Sequence, residues 1–184
     1  MLFYQFNNAN RTNQNTGNIV KLKPRHFFYA ILVSTIGSQS IAAERGPVTN
    51  LLMPRYVSLK ATEANARRGP SLSHRIDWIF KKKGMPLEIY GEYDNWRRVR
   101  DAEGAGGWIH YSLLSGVRSI VVTSSMADLH RKSNKNSMVL ARIEENYITD
   151  LGKCVKDWCE IDAGKYDGWV KKTDIWGVAP NEVR

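Results

Sequence analysis

Two stretches of this chain repeat one another at a near-constant offset. Asn95 to Gly116 reads NWRRVRDAEGAGGWIHYSLLSG, and Asp157 to Gly177 reads DWCEIDAGKYDGWVKKTDIWG. Trp96 and Trp158 stand 62 residues apart, Trp108 and Trp169 stand 61 apart, and Leu113 and Ile175 stand 62 apart. In each copy a tryptophan opens a short strand, a charged turn reverses the chain, and a glycine-tryptophan pair opens the return strand. A fixed offset at three landmarks marks an internal duplication, so the chain is expected to fold as two similar units of about 60 residues. The 14 glycines and 6 tryptophans suit short strands joined by tight turns better than long helices.

The first copy begins with an alternating strand, Tyr56 to Lys60. The polar stretch ATEANARRGPSLS, broken at Gly69 and Pro70, reads as a long loop with Asn65 to Arg68 along one edge. Ile76 to Phe80 is a strand and Lys81 to Gly84 its exposed turn. Met85 to Tyr93 follows, interrupted at Gly91, and the hairpin from Trp96 turns at Asp101 to Gly106. Gly107 permits a close strand approach or a bulge. Ser112-Leu113-Leu114 reads as one helical turn whose leucines plug the end of the unit.

In the second copy, Ile120 to Thr123 opens the unit and Leu129-His130-Arg131 stands for Ala66-Arg67-Arg68. Met138 to Ile143 stands for Ile76 to Phe80, and Asn146 to Gly152 for the strand around Leu87. The expected architecture is all-β: two small β-barrels in tandem, at 56–118 and 119–178. An extended linker (44–55) precedes them and a tail (179–184) follows. Such barrels are near the lower size limit for a self-sufficient core, and buried tryptophans supply the missing apolar area. The connection from Ser115 to Ser119 is so short that the barrels are expected to touch in a preferred orientation.

Residues 1–43 read as a disordered leader followed by a signal-peptide helix. The first twenty are rich in asparagine and glutamine. Lys21, Lys23, Arg25 and His26 then precede the apolar run FFYAILVSTIG and the small residues of SQSIAA, the order found in secretory signals. Cleavage after Ala42 fits the small-residue positions slightly better than cleavage after Ala43. An uncleaved anchor or a buried helix are the alternatives, although the run is short of the ~20 residues a span needs. The chain carries a net charge of +9, from 27 basic and 18 acidic residues. Four of the basic residues and none of the acidic ones precede Glu44, so an exported product would keep only +5.

Export also bears on the two cysteines. Cys154 and Cys159 flank a hairpin turn, where an oxidising compartment would let them pair across two antiparallel strands. Two thiols alone make a poor metal site, and the spacing is not that of a Cys-x-x-Cys redox pair. His26, His74, His110 and His130 show no ligand spacing, so neither a metal nor a cofactor is expected. No nucleophile, base and acid converge, and enzyme activity is not expected.

The first copy resembles the bacterial SH3-like family of exported proteins in its tandem form. Asn65, Arg67, Gly69 and Pro70 stand where that family has an asparagine-variable-arginine-variable-glycine-proline motif. Trp96, Gly107, Trp108, Ile109 and Leu113-Leu114 match its closing signature. In the second copy Leu129, Arg131, Trp158, Gly168, Trp169 and Val170 match, while Ser133 replaces the glycine-proline element. The resemblance implies a small barrel that binds peptides or cell-wall material, in the periplasm or cell envelope. Peptidoglycan or its stem peptides are the expected partner, and another envelope protein the alternative.

The candidate contacts are Arg67, Arg68, Tyr93, Trp96, Trp108 and Tyr111, read as a partly apolar cleft rimmed by positive charge. The plain alternative makes Trp96 and Trp108 core residues, Tyr93 and Tyr111 covers of the barrel ends, and the arginines solvated. Lys81-Lys82-Lys83 and Arg97-Arg98 also suit a nucleic-acid strand, but export and a charge of +5 argue against it.

Overall fold

Alternation of apolar and polar residues along short segments, punctuated by glycine, gives strands that pair with their chain neighbours. In the computed structural model, which describes residues 44–184, they assemble into two sheets of identical strand order. A short antiparallel hairpin, β1 (Glu44–Arg45) and β2 (Leu52–Met53), comes first. The first sheet holds β3 (Arg55–Leu59), β4 (Ala64–Arg67), β5 (Ile76–Phe80), β6 (Pro86–Tyr93), β7 (Trp96–Arg100) and β8 (Gly106–His110), then β9 (Leu114–Ser115). The second holds β10 (Ser119–Val122), β11 (Met126–His130), β12 (Val139–Glu144), β13 (Ile148–Cys154), β14 (Trp158–Asp162) and β15 (Asp167–Lys171), then β16 (Ile175–Trp176). One turn of 3-10 helix, Tyr111–Leu113 and Lys172–Asp174, precedes the last strand of each.

The strand orders are β5-β4-β8-β7-β6-β3-β9 and β12-β11-β15-β14-β13-β10-β16. Every strand of the first sheet therefore has its counterpart seven strands later. The register agrees: Arg67 lies opposite Trp108, and His130 lies opposite Trp169. Each sheet encloses its own core. Leu59, Phe80, Leu87, Val99 and Ile109 fill the first, while Ile120, Val122, Leu129, Ile161 and Val170 fill the second.

Four expectations are corrected. The barrels are not closed, because the end strands of each ladder, β5 with β9 and β12 with β16, do not pair. The would-be closing strands β9 and β16 are two residues long, leaving no room for a second ladder. Residues 64–67 are a strand within the sheet rather than a loop: the sequence Ala-Asn-Ala-Arg alternates buried and half-buried, and alanine's weak β-propensity hid the period.

The expected linker is the folded hairpin β1–β2, pinned by the buried Glu92. The Val48 and Thr49 amides donate to Glu92 Oε2 at 3.1 and 2.9 Å, and the Thr49 hydroxyl donates to Oε1 at 2.7 Å. Arg55 Nη2 donates to the same Oε1 at 2.7 Å. Burial alone would push this carboxyl up, but the bonds from Thr49, Arg55 and Val48 outweigh it and hold its pKa at about 2.

The tail, too, is folded back. The Arg184 amide donates to the Cys154 carbonyl at 3.1 Å and the Cys154 amide to the Arg184 carbonyl at 3.0 Å. Cys154 is disulfide-bonded to Cys159, its cross-strand partner in β14. Residues 1–43, and with them the expected leader and signal helix, lie outside the described residues. Both sheets belong to one compact unit and touch. The Tyr56 and Trp176 rings meet across their boundary, and Arg118, in the connector, lies 5.3 Å from the Tyr56 ring centroid while donating to Glu182.

Candidate ligand-binding groove

The hairpin β7–β8 sets the first side of a groove. Its register places Trp96 directly opposite His110, and the two rings meet edge to face with centroids 5.6 Å apart. Trp96 is only 8% exposed, so most of its area goes to holding the sheet. His110 caps the 3-10 turn: the Ser112 amide donates to its Nδ1 at 3.4 Å, and the Ser112 hydroxyl lies 2.7 Å from the same nitrogen. With Nδ1 accepting, the neutral ring carries its proton on Nε2, where it is a donor.

The opposite side is the loop between β4 and β5. Arg67 Nη1 donates to the carbonyls of Leu72 at 3.0 Å and His74 at 2.7 Å, which ties the loop to the strand that bears Arg67. A Cβ on Gly69 would meet the His74 imidazole at 2.4 Å, so a larger residue there would push that ring aside. The result is a groove of about 180 Å³ whose lining includes Glu63, Asn65, Arg67, Leu72, Trp96 and His110.

Of the six residues singled out from the sequence, the groove unites Arg67 and Trp96. Arg68 is exposed and ion-paired with Asp77 at 3.1 Å. Tyr93, 61% exposed, lies opposite Trp96 at the mouth of the β6–β7 turn. Trp108 is half-buried between Arg67 and Arg98, its partners on either side. Tyr111 is exposed, with the Arg97 guanidinium 5.9 Å from its ring centroid, where the sheets meet. His110, Leu72 and Glu63 are groove residues that sequence reasoning passed over. The hairpin around Asp101 to Gly106 did contain the signal for His110, since that turn sets the register pairing it with Trp96.

The second sheet does not repeat this arrangement. His130, and not the Arg131 matched to the family motif, takes the place of Arg67, because it is His130 that lies opposite Trp169; it is buried and packs edge-on against Trp158, centroids 5.0 Å apart. Its Nδ1 lies 3.1 Å from the Ser137 carbonyl, which can only accept, so Nδ1 carries the proton. Arginine and histidine thus do the same job of holding the following loop, but the histidine ring itself covers the tryptophan. Among the described residues, no group of three or more His, Cys, Asp or Glu side chains is arranged to hold a metal ion.

The duplicated sheets, the matched strand order and the paired tryptophans coincide with a bacterial SH3 domain family model, which matches residues 60–116 and 124–177. The chain belongs to the bacterial SH3 domain family. The two matched segments correspond to the two sheets, so each SH3 module comprises one of them. Two solved structures share distant similarity with the tandem SH3 chain. The structure of NlpC2 from Trichomonas vaginalis is 13% identical, over 67% of this chain and 48% of that one, with a TM-score of 0.32. The structure of NlpC1 from the same organism is 14% identical, over 76% of this chain and 50% of that one, with a TM-score of 0.32. The tandem SH3 chain thus spans about half the length of either. No curated protein matches it.

Proposed function

We propose that this chain is a non-catalytic, exported binding protein that recognises peptidoglycan through its stem peptides. The carrying observation is the groove between the Trp96–His110 pair and the loop tied down by Arg67. It offers an apolar wall in Leu72 and Trp96, a carboxylate in Glu63, an amide in Asn65 and a ring donor in His110. That mixture suits a short peptide with both charged and apolar groups. Membership of the bacterial SH3 family and the Cys154–Cys159 disulfide are consistent with work outside the cytoplasm.

The test is retention on purified peptidoglycan sacculi. Arg67 and Trp96 hold the fold, so the informative variant is Leu72→Ser with His110→Ala, both at the groove surface. Salt-sensitive retention of the native protein, lost in a variant that keeps its melting transition, supports the reading. A native protein that sacculi do not retain refutes it.

A second reading, docking on another envelope protein, is favoured by β5. Among the described residues this strand has an unpaired edge, and Ile76, Trp78 and Ile79 are all exposed, Trp78 by 47%. Co-purification of one stoichiometric protein, abolished by Trp78→Lys, would select it.

A further inference from the structure

Duplication allows the outer face of one module to be matched to that of the other, residue by residue. Ile89 lies opposite Val99 in the first sheet and Leu151 opposite Ile161 in the second, and all four are core residues. Alternation sends their chain neighbours outward, so Tyr90, Arg98 and Arg100 of the first module answer to Gly152, Glu160 and Asp162 of the second. The next strand follows the same rule. Gly106, opposite Arg100, answers to Asp167, opposite Asp162. The face is thus built twice, the second time with its charge reversed and its tyrosine removed.

On the first module the face carries a knob. The Arg98 and Arg100 guanidiniums stand by the ring of the exposed Tyr90, their carbons 5.1 and 5.4 Å from its centroid. Glu88 is ion-paired with Arg100, whereas Arg98 is in no ion pair among the described residues. On the second module the face carries a groove of about 280 Å³. Four carboxylates line it, from Asp150, Glu160, Asp162 and Asp167, and no basic side chain does. Asp162 and Asp167 lie directly opposite one another, a like-charge pair that is unfavourable until a cation joins it. Gly152 leaves the groove open where the first module places Tyr90, and a Cβ there would already stand 3.0 Å from the Glu160 carbonyl oxygen.

Knob and groove are complementary in charge and in relief, and one chain carries both. Two knobs brought together would repel, and so would two grooves. The contact that charge favours joins the first module of one copy to the second module of the next. We propose that the chain associates head to tail with a second copy of itself, the Tyr90–Arg98 knob of one seated in the carboxylate groove of the other. Arg98 then supplies the cation that Asp162 and Asp167 lack, and Tyr90 fills the space above Gly152. Such a contact leaves a free knob at one end and a free groove at the other, so copies add in rows. Neither face shares a lining residue with the Trp96–His110 groove, which a row would present repeatedly to a repeating ligand. The pairing itself does not depend on what that groove binds.

The test is sedimentation velocity on the full chain over a range of concentrations. The native protein should form larger species as its concentration rises, and going from about 0.05 M to about 0.5 M salt should weaken the association at least about tenfold. Arg98→Glu spoils the knob alone, and Glu160→Arg with Asp167→Arg spoils the groove alone. Each of these chains by itself should associate at least about tenfold more weakly than the native protein while keeping its melting transition. Their equimolar mixture should associate again, because a native knob on one chain then meets a native groove on the other. Should Arg98→Glu fail to fold, Arg98→Gln and Tyr90→Ala take its place in the same mixing experiment. The proposal is overturned if the native chain stays monomeric, if the altered chains associate as the native one does, or if the mixture stays apart. A monomeric native chain whose Gly152 amide signal shifts with tetralysine would assign the groove to a foreign basic peptide instead.

Discussion

Tyr56 and Trp176 meet edge to face across the boundary between the two modules, with centroids 5.2 Å apart and planes inclined at 85°. Burial raises the Tyr56 hydroxyl pKa, helped by the neighbouring Glu88. The pair joins the two cores through β3 and β16. In a double-mutant cycle of Tyr56→Leu and Trp176→Leu, followed by urea denaturation, a coupling of about 1 kcal/mol is expected. Strictly additive effects would mean that the rings are neighbours without being partners.

Glu92 supplies a pH signature. A carboxyl whose folded-state pKa lies below its unfolded value adds stability above the unfolded value, and that stability is lost as pH falls through the folded one. For Glu92 the window runs from 4.5 down to about 2. Glu92→Gln should cost about 3 kcal/mol at neutral pH, and its deficit against the native protein should shrink across that window. Faster amide exchange at Val48 and Thr49 should accompany the loss, since both donate to this carboxylate. A deficit that stays constant from pH 6 to pH 2 would contradict the assignment.

The disulfide should matter beyond its small loop. Closing so few residues is worth about 2 kcal/mol by chain entropy. Cys154 also pairs with Arg184 through both backbone groups, and Lys172 Nζ donates to the Pro180 and Glu182 carbonyls. Replacing both cysteines by alanine is therefore expected to loosen the C-terminal segment as well. Hydrogen exchange at residue 154 and at Arg184 should rise together; independent rates would show that the segment is held elsewhere.

Gly107 tests the close approach of β8 to β4. Its φ is +153°, and a Cβ there would stand 2.6 Å from the Arg67 carbonyl oxygen. Its counterpart Gly168 repeats the crowding against the His130 carbonyl at 2.7 Å. Gly107→Ala should cost about 2–4 kcal/mol, whereas Gly116→Ala, with open space around it, should be near neutral. Comparable melting temperatures for the two variants would refute the crowding argument.

What the sequence disclosed followed from local pattern. The tryptophan offsets identified the duplication, and the Leu129-His130-Arg131 correspondence gave a register that the strands obey at Trp108 and Trp169. The cysteine pair was legible because both residues sit on one hairpin. What it concealed depended on distant partners. Nothing near Val48 and Thr49 announces that a carboxylate more than forty residues away will order them. The groove was half-legible for the same reason: Trp96 and Arg67 were visible as motif residues, while His110 became a neighbour only through the hairpin register.

Arg118 sits in the short connector and grips both sides at once, Tyr56 by its face and Glu182 by its edge. A connector anchored in this way is a poor swivel. Tension applied to one module should therefore pass to the other as force along a stiff strut, and the spacing of the two modules should hold under load.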